Sequence, residues 1–144
     1  MADRSDRYPL ARLAEIRALR ATGAAIDLAA ALAGEAEAEA AVADARAAVD
    51  AARVAARAAT LTGETPLAAW QVAQREAYAI RLRRDVQRAE ERLRTCESDL
   101  AEWRSAVSAA RDHATAARAD QKVVELHRDR WVMAAKKKRE RRED

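Results

Sequence analysis

The chain has 144 residues, of which half are apolar, 35% charged and only 3% aromatic, with no phenylalanine and a net charge of +3. Most of the apolar half is alanine, which buries little area, so a globular core of clustered large side chains is excluded; the profile is that of long helices and coiled coils. Cys96 is the only cysteine, which leaves no disulfide framework and no thiolate metal cluster.

The opening MADRSDRYPL carries no apolar targeting segment, and no apolar run approaches the ~18 residues that a membrane span needs. A cytoplasmic protein is expected. Pro9 suits the first turn of a helix, where its missing N–H costs nothing. From there to about Ala59 only Gly23 and Gly34 oppose helix, at ~1 kcal/mol each relative to alanine. Between Ala24 and Ala59, 20 of 36 residues are alanine. The stretch TLTGETP then breaks the pattern. Gly63 can adopt a left-handed conformation, Thr65 can cap the next helix, and Pro66 can occupy its first position. No Gly or Pro follows through Asp144. Helix 1 is expected over about 9–60, the turn over about 61–65 and helix 2 over about 66–141. At ~1.5 Å per residue the two span roughly 75 Å and about 110 Å.

Helix 2 has the clearer period. Ala79, Leu82, Val86, Ala89, Leu93, Cys96, Leu100, Trp103, Val107, Ala110, Ala114 and Ala117 follow one another at spacings of three and four with no polar residue among them. A sustained heptad of this kind predicts a coiled coil. On helix 1, Leu19, Ile26, Ala33, Ala40, Ala47, Val54 and Leu61 recur every seven residues, while Leu10, Leu13 and Ile16 fit another phase, so a shift in packing is expected near Gly23. Folding the chain at its single turn pairs positions whose numbers sum to roughly 127. Large residues of helix 2 then face alanines of helix 1, Leu10, Leu13 and Ile16 face Ala110, Ala114 and Ala117, and Trp103 falls over Gly23. The expected fold is all-α: a long antiparallel two-helix coiled-coil hairpin, monomeric when isolated, with the second helix overhanging from about residue 120.

No enzyme motif appears, and no catalytic or metal-binding residue is assigned. His113 and His127 lie 14 residues apart, too far along a helix to share a metal. Cys96 at a seam position reads as a small core residue. The tail AAKKKRERRED reads as a solvated helix end, as a contact for an acidic protein surface, or as a nucleic-acid or anionic-membrane contact. Interleaved acids and missing aromatics count against nucleic acid. Trp70 either folds over Leu61 and Leu67 as a local cap or faces a partner, and Tyr78 shares that ambiguity.

The segment Tyr8-Pro-Leu-Ala-Arg-Leu-Ala-Glu-Ile-Arg-Ala-Leu-Arg20 resembles the start of the FliJ/YscO family of central-stalk proteins in type III secretion and flagellar export. The likeness rests on an aromatic residue followed by L-x-x-L-x-x-x-R, here Leu10, Leu13 and Arg17. Length, hairpin plan and charged C-terminus are also similar. The resemblance implies a non-enzymatic stalk, without cofactor, linking a hexameric secretion ATPase to the export gate at the cytoplasmic face of the apparatus, with secretion chaperones as a further partner class. It implies ATPase contacts from Arg12, Arg17, Arg20, Arg128, Arg130, Trp131, Lys136, Lys137, Lys138 and Arg139. Trp70, Gln71, Gln74 and Tyr78 would form the tip that faces the gate. The alternative is a free-standing coiled-coil adaptor that dimerises or binds nucleic acid through its basic end.

Overall fold

A computed structural model describes residues 7–60 and 66–143. Helix accounts for 95% of the described residues, so helical periodicity alone decides which side chains meet. Two α-helices, α1 over Ala11–Thr60 and α2 over Ala69–Glu143, pack antiparallel as an all-α hairpin.

The helix ends are built from local hydrogen bonds. Ahead of α1, Tyr8-Pro-Leu10 forms a turn closed by the Ala11 N–H donating to the Tyr8 carbonyl at 3.2 Å. The Thr60 hydroxyl donates to the Arg57 carbonyl at 2.7 Å at the far end of α1. The expected turn, with Gly63 and Thr65, lies outside the described residues. Pro66 precedes α2 rather than opening it. Helix begins at Ala69, and Gln71 accepts the Ala68 N–H at 2.9 Å, the half of a capping box that an alanine at the cap position still permits.

The chain divides into two compact units, Met1–Leu32 with Ala106–Asp144, and Ala33–Ser105. In the second unit, Ala38, Val42, Ala45 and Val49 of α1 are buried, with Leu100 of α2 closing over Ala38 and Val42. Leu93 and Cys96 pack beside them. In the first unit the buried residues are Ala21, Ala24 and Ala31 of α1 and Val107, Ala114 and Val124 of α2. Every expected seam position of α2 from Ala79 to Ala117 is buried or half-buried except Trp103, and that residue proves to be seated rather than loose.

The α1 seam differs from the expected one. It runs through Ala21, Ala24, Leu28, Ala31, Glu35, Ala38, Val42, Ala45 and Val49, whereas the seven-residue stripe points outward: Leu19 is 72%, Ile26 63% and Val54 65% exposed. Ala33, Ala40 and Ala47 are exposed with them, and Leu61 lies outside the described residues. Leu10, Leu13 and Ile16 are 36–40% exposed, and the register sets them level with residues C-terminal to Ala110, Ala114 and Ala117 rather than with those alanines. The physical reason is volume. The seam must admit the leucines and valines of α2, so α1 fills it mostly with alanines, together with Val42, Val49 and the half-buried Leu28, while Leu19, Ile26 and Val54 fall on the outward stripe.

The register is shifted as well. Trp103 lies over Gly34, where an added Cβ would stand 2.5 Å from the indole, while Gly23 has nothing within 4 Å of the same position. Paired numbers therefore sum to 137 at Gly34 and Trp103 and to 143 at Arg53 and Glu90, not to 127. The helices slide by about three to four turns relative to the expected pairing.

Interhelical ion pairs in the second unit follow this register. Arg53 meets Glu90 at 2.8 Å and Arg46 meets Glu97 at 3.2 Å. Glu35, the one acid on the seam, is reached by Arg104 Nε at 3.5 Å, and Arg104 also meets Glu39 at 3.4 Å. The arginines of these pairs are largely exposed while Glu35 and Glu90 are half-buried, so the pairs stabilise weakly and act mainly against slipped registers.

The two glycines should respond oppositely. Gly23→Ala is expected to stabilise by about 0.5–1 kcal/mol through helix propensity. Gly34→Ala is expected to destabilise by about 1–3 kcal/mol by displacing the indole. In a Trp103→Ala background Gly34→Ala should become stabilising. Thermal or urea denaturation of the four variants, at dilutions where the chain is monomeric, checks the signs, and the same sign for both single substitutions would refute the register.

Candidate docking sites

At the start of the chain the turn before α1 carries Tyr8 onto α2. Its phenol oxygen lies 2.9 Å from His127 Nδ1 and 3.4 Å from the Val124 carbonyl. Both contacts are satisfied together when His127 bears its proton on Nδ1 and donates to the phenol, whose own proton goes to Val124. The ring also packs at 5.7 Å on His127 and edge-on at 5.6 Å to Trp131. Arg17 donates to the Asp120 carbonyl at 3.0 Å.

These contacts correct the expected overhang. Gln121 is half-buried, Val124 is buried, and Trp131 and Ala135 are half-buried, so the seam continues well past residue 120. The aromatic cluster of Tyr8, His127 and Trp131 ends the paired region, and only the last turns of α2 extend beyond it.

Of the expected ATPase contacts, Arg17 and Trp131 are thus engaged within the chain. Arg12, Arg20, Arg128, Arg130, Lys136, Lys137, Lys138 and Arg139 are exposed. The sequence offered no sign of His127 as the partner of Tyr8, because a register sum of 127 sets Tyr8 beside residue 119.

The tip candidates sit on the first turns of α2. Trp70 is 63% and Tyr78 51% exposed. With Gln74 between them at spacings of four, they form one stripe. Gln71 is half-buried and committed to its helix cap. Leu67, Gln71, Arg75 and the stripe line an open hollow of about 350 Å³. The register brings the end of α1 level with about residue 80, so roughly ten residues of α2 pass beyond it. Trp70 shares this hollow with Leu67; Leu61, the other residue of the expected cap, lies outside the described residues.

Among the described residues no group of three or more His, Cys, Asp or Glu could hold a metal ion, and no helix is long and apolar enough to cross a membrane. No family model, curated protein or solved structure matches the chain.

Tyr8→Phe should destabilise by about 0.5–1.5 kcal/mol through the lost hydrogen bond, and Tyr8→Ala by more. Hydrogen exchange should quicken across residues 124–131 in Tyr8→Ala. Unchanged protection there would show that the aromatic cluster does not hold this end together.

Proposed function

We propose that this chain is a non-catalytic central stalk of a type III secretion system, docking by its basic helical end into a hexameric secretion ATPase and reaching toward the export gate with the Trp70 and Tyr78 stripe. The observation that carries the reading is the last part of α2. Lys136 to Arg142 hold six cations and one anion on helix that continues past the aromatic cluster. Such an end presents charge in a regular array, suited to an acidic pore lining, and electrostatic steering favours its capture.

Three further features support the reading. The hairpin has the plan of the stalk family, the YPLARLAEIRALR segment resembles that family's opening, and the same turn that carries this motif is clamped to α2 beside the basic end. In this assembly Arg12, Arg20, Arg128 and Arg130 flank the run, and Arg17 and Trp131 hold the docking end in shape. Secretion chaperones are the natural visitors to the opposite tip. The stalk would work at the cytoplasmic face of the apparatus.

The test uses the secretion ATPase of the same organism. Deleting 136–144 should leave the hairpin's melting transition intact while abolishing stimulation of ATP hydrolysis and hexamer assembly. Deleting 123–144 instead removes Val124, His127 and Trp131 and should destabilise the fold. Reversing the charges of Lys136, Lys137 and Lys138 should weaken binding most at low salt, because attraction between exposed charges is screened over about 10 Å in 0.1 M salt. Full stimulation by the chain lacking 136–144 would refute the reading. Loss of nucleic-acid retardation with ATPase stimulation untouched would favour the adaptor.

A further inference from the structure

The first unit leaves one face of its helix pair uncovered. A groove of about 440 Å³ is floored by Gly23, Ala24, Ala116 and Ala117 and rimmed by Arg20, Asp27, His113 and Asp120. Gly23 itself is unexplained by packing within the chain. It weakens an alanine-rich helix by ~1 kcal/mol, yet nothing lies within 4 Å of where its Cβ would be. A helical glycine facing open space suits a second backbone approaching closely.

We propose that this groove is the interface of a two-fold symmetric homodimer, with α1 crossing antiparallel over α1 of the second copy and α2 over α2. The charges select this occupant. An axis passing beside Gly23 on α1 sets Arg20 of each copy against Asp27 of the other. The corresponding axis on α2, beside Ala116, sets His113 of each copy against Asp120 of the other. Those two crossing points lie level in one groove, so a single axis satisfies all four contacts.

The same axis sorts the apolar residues. Ile16, 40% exposed, comes over Ala30 of the second copy, and Val123, 62% exposed, over Ala109. Large meets small, as within the hairpin. Both alanines are exposed in the single chain. The opposite face bears Glu15, Glu125 and Arg128 around the Tyr8 turn, where an axis on α2 would pair Glu125 with Arg128 but leaves Glu15 without a reciprocal cation on α1. A face two helices wide and roughly 30 Å long buries on the order of 600 Å² per copy, at the lower bound of specific interfaces. An interface of that size belongs with weak, transient ones, so the dimer is expected to dissociate on dilution.

The proposal does not rest on the stalk reading: the dimer engages Arg20, which the stalk reading gives to the ATPase, so dimer and docked stalk are alternative states of the chain, and the test contains no ATPase. Sedimentation equilibrium of the full chain, in a concentration series, should show a monomer–dimer equilibrium. Asp27→Arg should weaken dimerisation at least tenfold by setting two cations together, and Arg20→Asp with Asp27→Arg should restore it, because exchange preserves the reciprocal pairing. Gly23→Leu should abolish the dimer while helical circular dichroism and the melting transition of the monomer persist. In a Cys96→Ala background, Gly23→Cys should oxidise to a covalent dimer and Val54→Cys should not. A chain that stays monomeric throughout overturns the proposal. So does a dimer indifferent to Asp27→Arg and Gly23→Leu, or one that the double exchange fails to rescue.

Discussion

The seating of Trp103 on Gly34 sets the register from which the described packing follows. An indole placed 2.5 Å from where a Cβ would stand tolerates only glycine beneath it. One row of the α1 seam is indifferent to register, because sliding by a heptad exchanges Ala24, Ala31, Ala38 and Ala45 for one another. Gly34 breaks that degeneracy. Within the same unit, Leu100 then meets Ala38 and Val42, and the guanidinium groups of Arg46, Arg53 and Arg104 reach their carboxylates.

The seam that results is narrow. No described side chain is less than 2% exposed, and no polar or charged residue is buried. Hydrophobic stabilisation scales with the apolar area removed from water, so alanine facing valine contributes little per position and must be repeated over many turns. The long helices are therefore a consequence of composition. Isolated exposed ion pairs add little, but four of them on one edge penalise any slipped pairing. Where the seam runs out, the aromatic cluster of Tyr8, His127 and Trp131 supplies larger area and ties the turn ahead of α1 to α2.

Fold class was legible because helix 2 writes its heptad in large residues separated by charge. Its seam positions and the half-buried Cys96 follow the sequence pattern closely. Helix 1 was not legible in the same way. With alanine on every face, its period is carried by a few large residues, and Leu19, Ile26 and Val54 mark the outward stripe rather than the seam. Choosing between two glycines as the seat of Trp103 needed the register, and the register could not be fixed from a turn whose two helix ends are not level. That single shift also hid the contact between Tyr8 and His127 and placed the start of the overhang too early. At the tip, a position off the seam leaves Trp70 and Tyr78 open either to a local cap or to the surface, and both are exposed.

Charge distribution separates the ends of α2 more sharply than the net value suggests. The whole chain carries +3, while residues 136–142 carry six cations and one anion, or +5, which leaves −2 for everything else. The excess is thus confined to about two turns of helix. In the second unit, arginines on one edge are matched by glutamates on the facing helix, so their fields largely cancel beyond a Debye length. Lys136 to Arg142 have only Glu140 among them. The potential around a near-neutral hairpin with one concentrated positive segment is strongest at that segment rather than over its flanks. The helix C-terminus reinforces this arrangement, since its partial negative charge stabilises the cations gathered there. Concentrating the charge in this way also leaves the alanine-rich faces of both units free of long-range repulsion, so a second helix can approach them without opposing the field at the basic end.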